Sequence, residues 1–263
     1  MKRLAILFLG LIICFQSCQI SEEISFNEDG SGNYEMTFDM SEMMKMGGAM
    51  DTLPPEPPVD TVITFATFLD EKKDSIAQLP NEERQQLEVL RPLKFAMKSN
   101  EEEKQLDINV IYPFKKIEDL SKFAEAIENA NIKELQEMTG PMSELNPETP
   151  SDSVEQKDPM SEMFSMAKSF NTSFSKTGFS RSITDEARAE AVSKKDTTIK
   201  ADDPFVDMIR FKQVYRFPYK VKSVSNSNAK ILSDFKGVEI EANMYELNND
   251  PDFFNIEVTF HNE

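Results

Sequence analysis

Cysteine, histidine and methionine are the residues here whose chemistry could be distinctive. The chain has two cysteines, Cys14 and Cys18, one histidine, His261, and 15 methionines. A single histidine leaves most zinc sites and most histidine-based acid–base schemes short of groups. A Ser-His-Asp set would need His261, at the end of an expected strand beside the C-terminus. Asp202/Asp203 and Asp250/Asp252 are paired carboxylates, but 47 acidic residues supply such pairs by chance. Both pairs flank proline and read as turns or caps. No glycine-rich phosphate loop is present. The expectation is therefore no catalytic residue, no metal site, no cofactor and no enzyme activity.

Two methionine clusters read alike, Met40-Ser41-Glu42-Met43-Met44-Lys45-Met46 and Met160-Ser161-Glu162-Met163-Phe164-Ser165-Met166. Three thioethers suit Cu(I) in an oxidising compartment. Against this, methionine fills irregular apolar faces and adaptable contact surfaces. Met40, Met43, Met44, Met160, Met163 and Phe164 are accordingly expected to form a contact surface rather than a copper site. The loop Asn27-Glu28-Asp29-Gly30-Ser31-Gly32 invites a calcium reading. Its twelfth position would be Met36, where a bidentate glutamate is required, so a glycine turn is the better account.

The N-terminus carries the sharpest signal. Lys2 and Arg3 precede the apolar run Leu4–Phe15, too short to span a bilayer and right for a secretory signal core. Ser17-Cys18 follows and resembles a bacterial lipobox, although Phe15 and Gln16 depart from its usual residues. Cys14 is the rival, but Ile13 before it is large and branched. The other reading is an ordinary secretory signal with Cys18 as a spare thiol. Lipidation at Cys18 makes 1–17 a signal peptide and accounts for both cysteines at once. It places the protein in a cell envelope, expected at the outer membrane, with nothing to assign the face. Without Lys2 and Arg3 the chain has 27 basic and 47 acidic residues, a net charge of −20. Such a chain repels phosphate backbones, and no basic run is visible, so nucleic acid is not an expected partner.

These residues must be positioned by a fold that periodicity partly reveals. Ile20, Glu22, Ile24 and Phe26 alternate with Ser21, Glu23 and Ser25, and Tyr34, Met36, Phe38 and Met40 follow at period two, so the pair reads as a hairpin. A strand therefore begins almost at the anchor, leaving little tether. Ser21-Glu22-Glu23 also looks like the acidic export signal of some surface lipoproteins; a half-exposed strand face is the simpler reading. Asp39 could cap a short helix. Further strands are expected near 59–65, 93–98, 106–112, 170–182, 211–217, 220–224, 237–244 and 255–261. Helices are expected near 66–79, 81–90, 117–127, 131–140 and 160–167. Residues 141–158 read as a flexible insertion, and 184–203 as a charged linker with a helix near 184–195. The class is α+β: one domain over 18–263, an antiparallel sheet with amphipathic helices packed on one face.

Three stretches together look familiar: the hairpin with Asp29-Gly30-Ser31-Gly32, the Asp39-Met40-Ser41 start after it, and Phe217 to Asn226 (FPYKVKSVSN). They resemble an uncharacterised family of Bacteroidota envelope lipoproteins, itself distantly similar to LppM-type lipoprotein domains. The resemblance implies an envelope lipoprotein with a mixed α/β domain and brings no catalytic residues. The expected function is non-enzymatic: a membrane-anchored module that binds or supports another envelope component. The alternative is a lipid or glycolipid binder with an apolar pocket between sheet and helices.

Overall fold

A computed structural model describes residues 18–45, 58–129, 167–203 and 206–261, and of Met43, Glu128 and Asn129 the backbone alone. The expected signal peptide 1–17, the helix expected near 131–140, the expected insertion 141–158 and the second methionine cluster lie outside these residues. The strands are β1 (Cys18–Phe26), β2 (Gly32–Asp39), β3 (Val59–Thr64), β4 (Lys94–Asn100), β5 (Gln105–Phe114), β6 (Phe170–Phe174), β7 (Gly178–Ile183), β8 (Ile209–Arg216), β9 (Val221–Val224), β10 (Lys230–Ile231), β11 (Gly237–Asn243) and β12 (Ile256–Phe260). The helices are α1 (Ser41–Lys45), α2 (Phe65–Glu71), α3 (Lys73–Ile76), α4 (Asn81–Val89), α5 (Asp119–Asn129), α6 (Asp185–Ser193) and α7 (Met244–Asn249).

The fold is α+β, with the strands divided between two sheets. The larger runs β10-β11-β8-β1-β2-β5-β4-β3, and the smaller runs β6-β7-β12-β9. Pairing is antiparallel except between β1 and β8, which run parallel with Cys18 opposite Ile209. That parallel pair joins the N-terminal hairpin to β8 and β11, while the last strand, β12, lies in the smaller sheet.

Alternation determines which face each strand buries. Ile24, Phe26, Tyr34, Met36, Phe38, Ile108, Val110, Tyr112, Tyr215 and Ile240 point inward and are buried. The opposite face is polar: Ser21 lies between Thr37 and Lys212, and Thr37 faces Asn109. Ion pairs cross it, Arg216–Glu23 at 2.9 Å and Lys212–Glu239 at 3.3 Å. The inner face has two covers. The smaller sheet lies over one part, where the Phe26 ring stacks on Phe174 at 4.2 Å and meets Phe179 at 5.6 Å. Helix α5 lies over the other, with Phe123 stacked on Tyr112 at 4.1 Å. Its inward residues Leu120, Phe123, Ala124 and Ile127 are those the helical period selects.

Two segments differ from expectation. Residues 170–182 do not form one strand; they turn at Ser175–Thr177 into the hairpin β6–β7. The Ser175 hydroxyl accepts from the Thr177 and Gly178 amides and holds that turn. The run 237–244 ends one residue early because Asn243 and Glu246 make a reciprocal capping box that starts α7. Within 184–203, Thr184 caps α6 through the Ala187 amide, and Arg188 pairs with Asp252 at 2.6 Å.

The β1–β2 loop needs its two glycines for different reasons. Gly30 has a φ of +83°, which glycine alone adopts without strain. A Cβ at Gly32 would meet the Ser25 carbonyl oxygen at 1.9 Å. The Asp29 carboxylate accepts from the Ser31 amide (3.0 Å) and hydroxyl (2.6 Å), which lowers its pKa. These contacts explain the motif without a cation. Gly32→Ala should cost about 3 kcal/mol by forcing backbone apart, and Gly30→Ala about 1 kcal/mol through φ strain alone. Urea unfolding of both variants checks the order; equal losses would contradict the backbone clash.

Candidate functional site

Of the expected site residues, Cys18, Met40 and Met44 fall at one end of the larger sheet. Cys18 is the first residue of β1, and its amide donates to the Met208 carbonyl at 2.9 Å. Asp39 pairs with Gln19, so Met40 arrives beside Cys18. The Met40 amide donates to the Leu106 carbonyl, and Asp39 accepts from the Ser41 amide at 3.0 Å to start α1. Met40 and Met44 are half-buried and pack against the core. The side chain of Met43, and Met160, Met163 and Phe164, lie outside the described residues. Among the described residues, no group of three His, Cys, Asp or Glu is placed to hold a metal ion. His261 is exposed at the end of β12, its amide bonded to the Lys220 carbonyl. Asp250 and Asp252 serve local turns: Asp250 accepts from the Asp252 amide, and Asp252 from Asn255 and Arg188.

The strongest polar feature lies deeper, at the seam between the sheets. Glu22 occupies an inward position of β1, between Ile20 and Ile24. Its partner is Arg181, an inward position of β7, and the side chains are 2% and 1% exposed. Arg181 Nη1 donates to Glu22 Oε2 at 2.6 Å and Nη2 to Oε1 at 2.8 Å, a bidentate fork. Arg181 Nη1 also donates to the Tyr215 hydroxyl at 3.2 Å, and that hydroxyl donates to Gln213 Oε1. The guanidinium sits 4.4 Å from the Phe170 ring centroid, a cation–π contact.

Burial alone would lower the Arg181 pKa; the Glu22 carboxylate outweighs it and the guanidinium is held more basic than usual. Burial raises Tyr215, with Arg181 opposing, and raises Tyr34 well above its ordinary value with help from the Glu22 charge. Tyr112 is pushed up to about 12, burial first and Asp119 second.

Two concavities stand out. A hollow of about 180 Å³ lies between α5 and β6, lined by Ile117, Leu120, Ser121, Phe170, Thr172 and Arg181 among others. An open groove of about 630 Å³ lies among α2, α3 and α4, with Arg91 held between Asp70 (3.0 Å) and Glu88 (2.6 Å). Among the described residues, no helix is long and apolar enough to cross a membrane.

No family model matches the chain, and no curated protein matches it. Among solved structures it is similar to the NMR structure of the folded domain of LppM from Mycobacterium tuberculosis, with a TM-score of 0.34 and 8% identity over 94% of this chain and 90% of that one.

Removing one partner of the seam pair strands a charge in a dry interior, so Arg181→Met or Glu22→Leu should each cost about 3–5 kcal/mol. The double change, apolar on both sides, should recover much of that loss in urea unfolding; strictly additive losses would count against the pairing. The buried phenols also set an alkaline limit. Their folded pKa values lie above the ordinary 10.0, with Tyr112 at about 12. Their contribution is complete below pH 10 and is lost as pH rises towards 12 and beyond, where unfolded phenols have ionised and folded ones have not. In a chain carrying Tyr219→Phe and Tyr245→Phe, so that the buried phenols alone absorb, circular dichroism and phenolate absorbance should report unfolding and ionisation as one event in that window; ionisation well before unfolding would contradict it.

Proposed function

We propose that this chain is a cell-envelope lipoprotein, anchored through an acylated Cys18, whose domain acts as a non-enzymatic binding or structural module for another envelope component. The observation that carries the reading is the placement of Cys18. The apolar run Leu4–Phe15 and Ser17 fit it as the residue that a lipoprotein signal exposes, and Cys18 already lies within β1, paired with Ile209 of β8. An acyl anchor there joins the bilayer to the sheet with no spacer between them. Two or three chains, at about 0.8 kcal/mol per buried CH₂, make such an anchor stable.

The binding part of the proposal is supported by where the polar chemistry sits. The ionisable groups with the strongest perturbations, Arg181, Tyr34 and Tyr215, are buried in the seam, and Arg181 is committed to Glu22 through two hydrogen bonds. A lipid held between sheet and helices is the weaker reading. The space under α5 and the smaller sheet is occupied by stacked aromatic rings. The hollow beside α5, about 180 Å³, is below the roughly 300 Å³ at which small-molecule pockets begin. The outer membrane is the proposed location, and an envelope protein or lipid surface the proposed partner.

Cys18→Ala should leave an uncleaved precursor or a soluble product when cells are fractionated and the protein is detected by immunoblot. A mature, membrane-bound Cys18→Ala protein would refute the anchor. Native mass spectrometry of gently extracted protein addresses the second reading, because a stoichiometric co-purifying lipid beyond the covalent chains would favour an internal pocket.

A further inference from the structure

The sequence shows no basic run, yet the fold assembles one. The end of the molecule opposite Cys18 is built from three turns and the end of β12, held together by backbone hydrogen bonds. The Phe217 amide donates to the Lys236 carbonyl (2.7 Å), Val221 to Phe235 (2.8 Å), Phe260 to Thr177 (3.0 Å) and His261 to Lys220 (3.0 Å). These bonds gather Lys176, Lys220, Lys222 and Lys236, separated by up to 60 positions in the sequence, onto one tip with His261. All four lysines are exposed, and none makes an ion pair among the described residues. Asp234 is the acid within this group, and its carboxylate is engaged by the Lys236 amide at 2.9 Å. Glu28 and Asp29 lie on the neighbouring β1–β2 turn. In a chain with 47 acidic and 29 basic residues, four unpaired lysines together need a reason.

A large apolar side chain projects from the same tip. Phe235 is 61% exposed and has a φ of +60°, a backbone state that bulky residues avoid. Ile231, in the same β10–β11 hairpin, is 45% exposed. The nearby aromatics Phe174, Phe217, Tyr219 and Phe260 pack on one another, which makes the base of the tip rigid. Strain kept at an exposed ring points to use of that ring.

We propose that this tip docks on an anionic lipid surface. Lysines supply local electrostatic attraction to such a surface. Phe235 supplies the wedge that enters between headgroups, a role that a soluble polyanion gives it no occasion to fill. Repulsion from the acids elsewhere is screened beyond about 8 Å at physiological salt. β1 spans nine residues at about 3.3 Å each, so the tip stands roughly 30 Å from Cys18. The binding rests on the tip alone. Only its direction, away from the leaflet that holds the anchor, rests on the proposed acylation.

The test uses the purified full chain, in phosphatidylcholine nanodiscs if it floats with lipid and free in buffer if it does not. Flotation thus reports on the anchor separately. The protein is mixed with vesicles of phosphatidylcholine alone or with added phosphatidylglycerol, and captured vesicles are counted. Capture should be several-fold greater for the anionic vesicles and should fall with salt. Phe235→Gly removes ring and strain together, so it should cut capture several-fold while thermal stability holds or rises. Lys220→Gln/Lys222→Gln/Lys236→Gln should do the same at unchanged stability. Equal capture of both vesicle types overturns the proposal. So does capture that survives Phe235→Gly while soluble polyphosphate competes fully, which would identify a polyanion as the partner instead.

Discussion

A charge pair held away from water sets the terms for this fold. Glu22 and Arg181 come from different sheets and lie 159 positions apart, yet meet through two short parallel hydrogen bonds. Neither charge is tolerable in that seam alone, because an unpaired buried ion costs several kcal/mol. The larger sheet can therefore bury the inner face of β1 only if the β6–β7 hairpin arrives in one register. A slip of one residue in β7 would turn Arg181 outward and leave Glu22 facing Phe170 and Tyr215 without a cation. The aromatic stack around Phe26 rewards close approach of the sheets, but it would accept many sliding arrangements. The ion pair distinguishes among them. Tyr215 and Gln213 extend the same network into β8, the strand that joins β1 in parallel.

Much of this was legible in the residues, for a reason that also explains what was not. Where one face meets water, alternation is visible, and β1, β2, β5 and β12 were readable to within one or two positions. The same alternation put Glu22 on an apolar face, and that misplaced carboxylate was the signal that a cation had to lie opposite. Arg181 was not identified because 170–182 looked like one strand. The turn at Ser175–Thr177 contains no proline, and its glycine sits at the start of the next strand rather than within the turn. Phe179-Ser180-Arg181-Ser182-Ile183 has the period that places Arg181 inward, once the hairpin is seen. Helix α7 was hidden because Met244 continues the β11 alternation and the helix has only six residues; Asn243 and Glu246, at capping-box spacing, were the overlooked cue. β10 has two residues and offers no period at all.

The acidic stretch after Cys18 changes meaning in three dimensions. As a string, Ser21-Glu22-Glu23 looks like a solvated tag. In the fold its members part company. Glu22 enters the seam, Ser21 lies on the polar sheet face, and Glu23 takes Arg216 at 2.9 Å. Adjacent residues of a strand point to opposite faces, so a strand cannot present two neighbouring carboxylates to one receptor. An export signal read from these residues would have to be read before the domain folds.

The seam pair and the two ends of the sheet form one mechanical argument. β1 carries Cys18 at one end, Glu22 near its middle and Phe26 at the other. Arg181 fixes the smaller sheet against that middle. The smaller sheet in turn brings the Ser175–Gly178 turn and β9 to the Phe26 end, where Phe174, Phe217 and Phe260 stack. Lys176, Lys220 and Lys222 reach the tip only because those segments are held there. The contact that closes the core therefore also decides whether the lysines at 176, 220 and 222 and the β10–β11 hairpin act as one surface or as scattered charges. A buried pair is weak evidence for stability as such. Here its retention is better understood as register: an apolar replacement could pack the seam, but it would not specify which turns stand together at the far end of the sheet.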